Sequence, residues 1–142
     1  MSRETDVSQG RPTIQELTED ECWQLLAAKT VGRLAVSIKN KPDIFPVNYR
    51  VDNRTVVIKT APGLKLAAST LGGAVAFEAD DIDEAARTAV SVVIRGTATE
   101  IERLDELLDA EDLTVEPWAG GSKNRYVRIE PDHVTGRRIP HR

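Results

Sequence analysis

Gly32-Arg33-Leu34-Ala35-Val36-Ser37-Ile38, then Phe45-Pro46-Val47-Asn48-Tyr49-Arg50-Val51, then Thr55-Val56-Val57-Ile58-Lys59-Thr60 are the stretches that decide the fold class of this chain. In the first, Leu34, Val36 and Ile38 fall on one face of an extended strand, and in the second Phe45, Val47, Tyr49 and Val51 do the same. The third is a compact β-branched run. Turn chemistry separates them: Asn40-Lys41-Pro42-Asp43 after the first and Asp52-Asn53-Arg54 after the second. Short strands joined by tight turns predict an antiparallel meander.

Upstream, the period changes to that of a helix. Thr18 and Glu21 form a capping box, and Cys22, Leu25 and Leu26 make an apolar stripe that runs to Lys29. Downstream, Pro62-Gly63 opens a short helix from Leu64 to Leu71, which Gly72-Gly73 ends. Ala74 to Glu78 and Ala89 to Ile101 read as strands, and the acidic stretch Glu78-Ala79-Asp80-Asp81-Ile82-Asp83-Glu84 as a solvated loop between them. Glu102 to Ala110 has helical spacing at Leu104, Leu107 and Leu108, Pro117 to Gly121 is a loop, and Arg125 to Ile139 supplies one or two last strands. The expected class is mainly β (α+β), a barrel or strongly bent antiparallel sheet with a few short helices.

Length and composition agree with one domain. The chain has 142 residues, 40% hydrophobic and 30% charged, and chains of this size bury roughly 70% of the surface they expose when unfolded. Residues 1–13 are expected to be a flexible N-terminal arm and 14–142 the folded domain. No apolar run is long enough to span a bilayer, and the polar start lacks the layout of a signal peptide, so a cytoplasmic protein with no membrane partner is expected. Cys22 has no second cysteine to pair with. His133 and His141 alone add too few ligands for a closed zinc site, so no metal is expected. A net charge of −4 argues against nucleic acid, although Arg125 to Arg142 is locally basic.

The segment richest in chemistry is Thr60-Ala61-Pro62-Gly63-Leu64-Lys65. A strand ends at Thr60 and a helix starts near Pro62, so the amides of Gly63, Leu64 and Lys65 point out of the helix start, where the dipole favours an anion. Gly63 permits close approach to the backbone. Lys65 opposes the dipole of its own helix, a placement that an anion would compensate. The same residues also fit an ordinary surface helix with a solvated lysine. Asn48 and Pro46 face away from Val47 and Tyr49, toward a ligand or toward water. Arg95-Gly96 reads as a bulge with an outward charge or as a site for an anionic group. Trp118 reads as a loop anchor, a stacking platform or an interface residue. No nucleophile elbow, dinucleotide fingerprint or calcium loop is present.

Taken in order, Val31-Gly32-Arg33-Leu34-Ala35, Pro46-Val47-Asn48-Tyr49, Ile58-Lys59-Thr60 with Lys65, Ala76-Phe77-Glu78, Ser91-Val92-Val93-Ile94-Arg95-Gly96 and Pro117-Trp118-Ala119 resemble the pyridoxamine 5'-phosphate oxidase-like family of flavin-binding split β-barrels. The resemblance runs from about Leu17 to Ile139. It implies a homodimer with a flavin at each subunit interface. Thr60 and Lys65 correspond to the residues that hold the flavin phosphate, at the same corner where the amides of Gly63 and Leu64 point out of the helix start. Pro46, Val47 and Asn48 lie along the isoalloxazine, and Trp118 reaches the ring from the partner subunit. FMN is the cofactor implied, with a deazaflavin coenzyme as the alternative.

Two departures matter. Thr88-Ala89 stands where relatives often carry Gly-Trp, and Arg137-Arg138-Ile139-Pro140-His141 is not equivalent to the substrate-binding end of true pyridoxamine phosphate oxidases. The resemblance thus implies a flavin-dependent oxidoreductase acting on a different small molecule. The other readings are a non-catalytic protein that sequesters flavin, deazaflavin or haem, and a dimeric barrel that has lost its cofactor.

Overall fold

The computed structural model describes residues 13–60, 73–103, 106 and 125–140. In chain order these form β1 (Gln15–Glu16), α1 (Glu19–Ala28), β2 (Val31–Ile38), β3 (Lys41–Asp52), β4 (Thr55–Thr60), β5 (Gly73–Asp83), β6 (Thr88–Glu100) and β7 (Arg125–Ile139). Every pairing is antiparallel. The sheet order is β1-β7-β4-β3-β2-β5-β6, and β6 also pairs with β7, which closes a six-stranded ring. Closure covers most of the free edges that an open sheet would present. β7 closes it among the described residues, its 15 residues being long enough to hold β4 at one end, β1 at the other and β6 along nearly its whole length.

The meander of β2, β3 and β4 forms as the alternation requires. Leu34, Val36, Val47, Tyr49, Val56 and Ile58 point into the barrel with Phe77, Ala79, Val92, Ile94, Val127 and Ile129. Burying each large aliphatic or aromatic side chain contributes about 1.5–3 kcal/mol before chain entropy is counted. The helix α1 adds Cys22, Trp23 and Leu26 to this core and touches β3, β5, β6 and β7, so it closes one mouth of the barrel. Its start is the capping box: the Glu21 amide donates to Thr18 Oγ1 at 3.2 Å, and the Thr18 amide donates to Glu21 Oε1 at 2.8 Å. Tyr49 ties its other end to the barrel. The phenol donates to the Leu26 carbonyl at 2.6 Å, and the ring meets Phe77 edge-on at 4.8 Å.

Val56, Val57 and Ile58 are all fully buried, which a strand with one solvated face would not allow. The outward Val57 packs with Tyr126 and Ile101, and the Ile101 amide donates to the Tyr126 carbonyl at 2.8 Å. The barrel wall is therefore two layers thick at β4 and the start of β7.

Two sequence expectations are corrected, and a third is narrowed. The first hairpin turns at Lys39–Asn40, both at positive φ, so Lys41, Pro42 and Asp43 belong to β3. A two-residue turn with both φ values positive matches the strand twist, and Asn tolerates that conformation. The acidic stretch is strand as far as Asp83, and the turn is Glu84–Arg87. Its carboxylates face cations on neighbouring elements: Asp80 and Glu78 meet Arg33, and Asp81 meets Lys29. Arg125–Ile139 is one strand, with a bulge at Asp132 opposite Arg95-Gly96. The two residues of β1 carry no sequence signal and exist through pairing with Arg137 and Arg138. The helix expected at Leu64–Leu71, the loop at Pro117–Gly121 and residues 1–12 of the arm lie outside the described residues. Of Glu102–Ala110, Glu102 and Arg103 are not helical, Glu106 is, and the rest lie outside.

Candidate flavin site at the split between β3 and β4

The ladder between β3 and β4 runs only from Asp52↔Thr55 to Tyr49↔Ile58. Both strands continue beyond it. β4 carries on through Lys59 and Thr60, which pair with Tyr126 and Arg125 of β7, while β3 from Lys41 to Asn48 pairs with β2. The two strands part at this point, and a split opens in the barrel wall. Thr60 lies two residues beyond Ile58 and Val47 two residues before Tyr49, so the end of β4 and the Pro46–Asn48 segment stand at the same level on opposite sides of it.

Three of the expected site residues border the split on β3. Pro46 is exposed and Asn48 half-buried on the outer face, whereas Val47 turns its side chain into the core, so it offers a ligand only its backbone. Thr60 ends β4. Gly63, Leu64, Lys65 and Trp118 lie outside the described residues. Lys59 comes level with Asn48 across the split, and its ammonium sits 5.9 Å from the centroid of the Tyr126 ring, within cation–π range.

Beside Pro46 lies a charged cluster that sequence reasoning passed over. Arg33 is the cross-strand partner of Pro46 on one side and of Glu78 on the other. Its guanidinium donates to Glu78 at 3.3 Å and to Asp80 at 3.5 Å. Burial pushes the Glu78 carboxyl up to about 7, the neighbouring Asp80 pushes in the same direction, and Arg33 opposes both. Glu78 therefore exchanges a proton near neutral pH. The clue was present in Glu78 and Asp80, two residues apart on what proved to be a strand and so on one face, opposite a lone arginine.

The donors around the split suit a flat heterocycle with an anionic tail. Pro46 and Asn48 offer an apolar contact and an amide on one outer face, Lys59 supplies positive charge at the β4 end, and the nearby carboxylates Glu78 and Asp80 are already matched to Arg33. Among the described residues no group of three or more His, Cys, Asp or Glu could hold a metal ion, and no helix is long and apolar enough to cross a membrane.

Comparison with known proteins agrees with this architecture. The model of the family described as "Pyridoxamine 5'-phosphate oxidase" matches residues 18–138. An uncharacterized protein of Mycobacterium tuberculosis is 36% identical over 131 residues, covering 89% of this chain and 86% of that protein. The FAD binding protein from Mycobacterium smegmatis superposes with a TM-score of 0.79 at 37% identity, covering 89% of this chain and 100% of that one. A conserved protein of unknown function from Corynebacterium diphtheriae superposes with a TM-score of 0.77 at 33% identity, over 89% and 98% of the two chains. By closed-barrel topology, by the split between β3 and β4 and by sequence, this chain belongs to the pyridoxamine 5'-phosphate oxidase-like family of split β-barrels.

Proposed function

We propose that this protein binds a flavin nucleotide at the β3–β4 split and acts as a flavin-dependent oxidoreductase, working as a homodimer. The observation that carries the reading is the parting of β3 from β4 at Tyr49–Ile58, while each strand stays paired on its other side. A bound flavin would supply hydride transfer at its ring. The chain's own residues bind and orient it. Pro46 and the backbone of Val47 and Asn48 flank the ring, while Thr60, Lys65 and the amides of Gly63 and Leu64 take the phosphate. Trp118 covers the ring from the partner subunit. Exposed Ile44, at 62% of its surface, shares the outer face of β3 with Pro46, which supports a subunit contact beside the site.

FMN, FAD and deazaflavin coenzymes share a flat tricyclic ring shape and the phosphorylated ribityl arm that this corner would read. The expectation of FMN therefore widens: the relative from Mycobacterium smegmatis is named for FAD, and its 37% identity over nearly the whole chain favours including that nucleotide.

Titration of the purified protein with FMN, FAD and a deazaflavin coenzyme, followed by absorbance and fluorescence, tests the assignment. Lys65→Ala should weaken binding of the preferred nucleotide roughly tenfold or more, the loss of a charge-assisted contact of about 1.5–3 kcal/mol. Unchanged affinity in that variant across a salt series would sink the phosphate assignment. Steady-state turnover with a reduced nicotinamide and an electron acceptor tests the oxidoreductase reading, and light scattering tests the dimer.

A further inference from the structure

Arg33 faces more negative charge than it can balance. Its Nη1 alone donates to Glu78 at 3.3 Å and to Asp80 at 3.5 Å. One guanidinium thus serves two carboxylates that stand two residues apart on the outer face of β5. The neighbouring strands bring them no second cation. On β6, Val93 stands opposite Glu78, Ser91 opposite Asp80 and Arg95 opposite Ala76. On β7, one strand further out, Thr135 faces Val93, Arg137 faces Ser91 and His133 faces Arg95. Among the described residues none of Arg95, His133 and Arg137 forms an ion pair with Glu78 or Asp80, and Lys29 after α1 is engaged by Asp81. On the core side, burial and then the charge of Glu78 hold the proton on the Tyr49 phenol of β3. One proton completes the balance of the cluster. Burial, with a hydrogen bond to Asp80, keeps it on Glu78 up to about 7 against the pull of Arg33.

Position gives that proton a use. Arg33 pairs with Pro46 on its other side, so Pro46, Arg33 and Glu78 form one row across β3, β2 and β5. Neighbouring strands lie about 4.8 Å apart, which sets Glu78 about 10 Å from the Pro46 border of the split. A small molecule reduced beside Pro46 is within reach of its carboxyl. Of the two acids Glu78 is the more open, its side chain 29% exposed against 19% for Asp80.

We propose that Glu78 is the proton donor of the reaction at the split, positioned by Arg33 and Asp80, and that the substrates are two-electron acceptors that take up a proton at oxygen or nitrogen. The proposal rests on the flavin reading. An acceptor that has gained a hydride carries two more electrons and one more negative charge. Glu78 gives its proton to the charged oxygen or nitrogen, which leaves the product neutral. The carboxylate left behind is held by Arg33 and regains a proton from water.

Two measurements test this. In the unloaded protein with isotope-labelled glutamate, the Glu78 carboxyl, identified by its absence from Glu78→Gln, should titrate near neutral pH in NMR spectra, and Asp80→Asn should move it down. Titration in the ordinary carboxylate range overturns the proposal with no cofactor involved. The protein loaded with FMN or FAD is then photoreduced and mixed in stopped flow with menadione, which needs a proton, or with ferricyanide, which takes electrons only. The menadione rate should fall as pH rises through about 7. Glu78→Gln should lower the ratio of menadione to ferricyanide rates at least tenfold at about pH 6. A merely structural substitution slows both reactions and keeps the ratio. An unchanged ratio, or no oxidation by menadione, overturns this proposal alone, whereas failure to bind either nucleotide overturns the flavin reading and this one with it.

Discussion

Tyr49→Phe isolates one buried hydrogen bond between the helix and the barrel. The substitution deletes only the hydroxyl that donates to the Leu26 carbonyl at 2.6 Å, leaving the ring edge-on to Phe77. Tyr49 is 1% exposed and Leu26 fully buried, so water cannot replace the lost donor without opening the core. The Leu26 carbonyl would keep one partner, the Lys29 amide at 3.4 Å. A buried hydrogen bond contributes about 0.5–1.5 kcal/mol net, and an under-satisfied buried carbonyl adds to the loss, so about 1–2 kcal/mol is expected. With a urea slope of roughly 2 kcal/mol per molar, the unfolding midpoint should fall by about 0.5–1 M. Unfolding is followed by far-UV circular dichroism at one fixed protein concentration, because association would shift the midpoint by mass action. Hydrogen exchange adds a local readout: amides at the end of α1, Leu26 to Lys29, should lose protection more than those of β5 and β6. A midpoint within about 0.1 M of the parent, or protection lost evenly over the barrel, would refute the anchoring role of this bond.

Other perturbations probe other parts of the molecule. Gly32→Ala places a methyl 2.4 Å from the Phe77 ring and 2.7 Å from the Glu78 carbonyl, so thermal unfolding should show a loss of about 1–3 kcal/mol. Adding Phe77→Leu should recover part of it, and a purely additive double variant would argue against this clash. Glu78 holds its proton up to about 7 in the folded chain against 4.5 ordinarily, so the folded state binds a proton that the unfolded state has released. Stability therefore falls as pH rises through that window. Glu78→Gln should remove this dependence and gain about 1 kcal/mol on the parent between pH 5 and pH 8, a magnitude kept small by solvent around a side chain 29% exposed. Parallel stability profiles for the two proteins would contradict the raised carboxyl. Burial also raises the Cys22 thiol, with Glu19 and Glu21 adding to the effect, so Ellman's reagent should label the folded protein far more slowly than the protein in urea; equal rates would contradict a buried thiol.

The local elements were legible because their signals are local. The capping box of Thr18 and Glu21 involves residues three apart, and the strand faces of Leu34, Val36, Val47 and Tyr49 follow from a two-residue period. The boundaries that failed were those where the deciding partner is remote. The acidic residues after Glu78 look like loop until Arg33 and Lys29 are brought opposite them, 47 to 52 residues away in the chain. The turn at Lys39–Asn40 was misplaced by two residues because Pro42, a turn former in isolation, is also acceptable where a strand begins.

The strand-to-helix corner at Thr60–Lys65 and the β3 segment Pro46–Asn48 were each marked in the sequence as candidates for a site. Only tertiary structure makes Thr60 and that β3 segment neighbours of one opening, since the end of the β3–β4 ladder at Tyr49–Ile58 is a property of two strands and not of either. Barrel closure by β6 and β7 and the Arg33–Glu78–Asp80 cluster were decided there as well. Propensities, caps and alternation are energies of a few neighbouring residues, and the chain carries them wherever it goes. Pairing, closure and the matching of charges across strands join residues far apart in sequence, and those energies exist only once the backbone has folded.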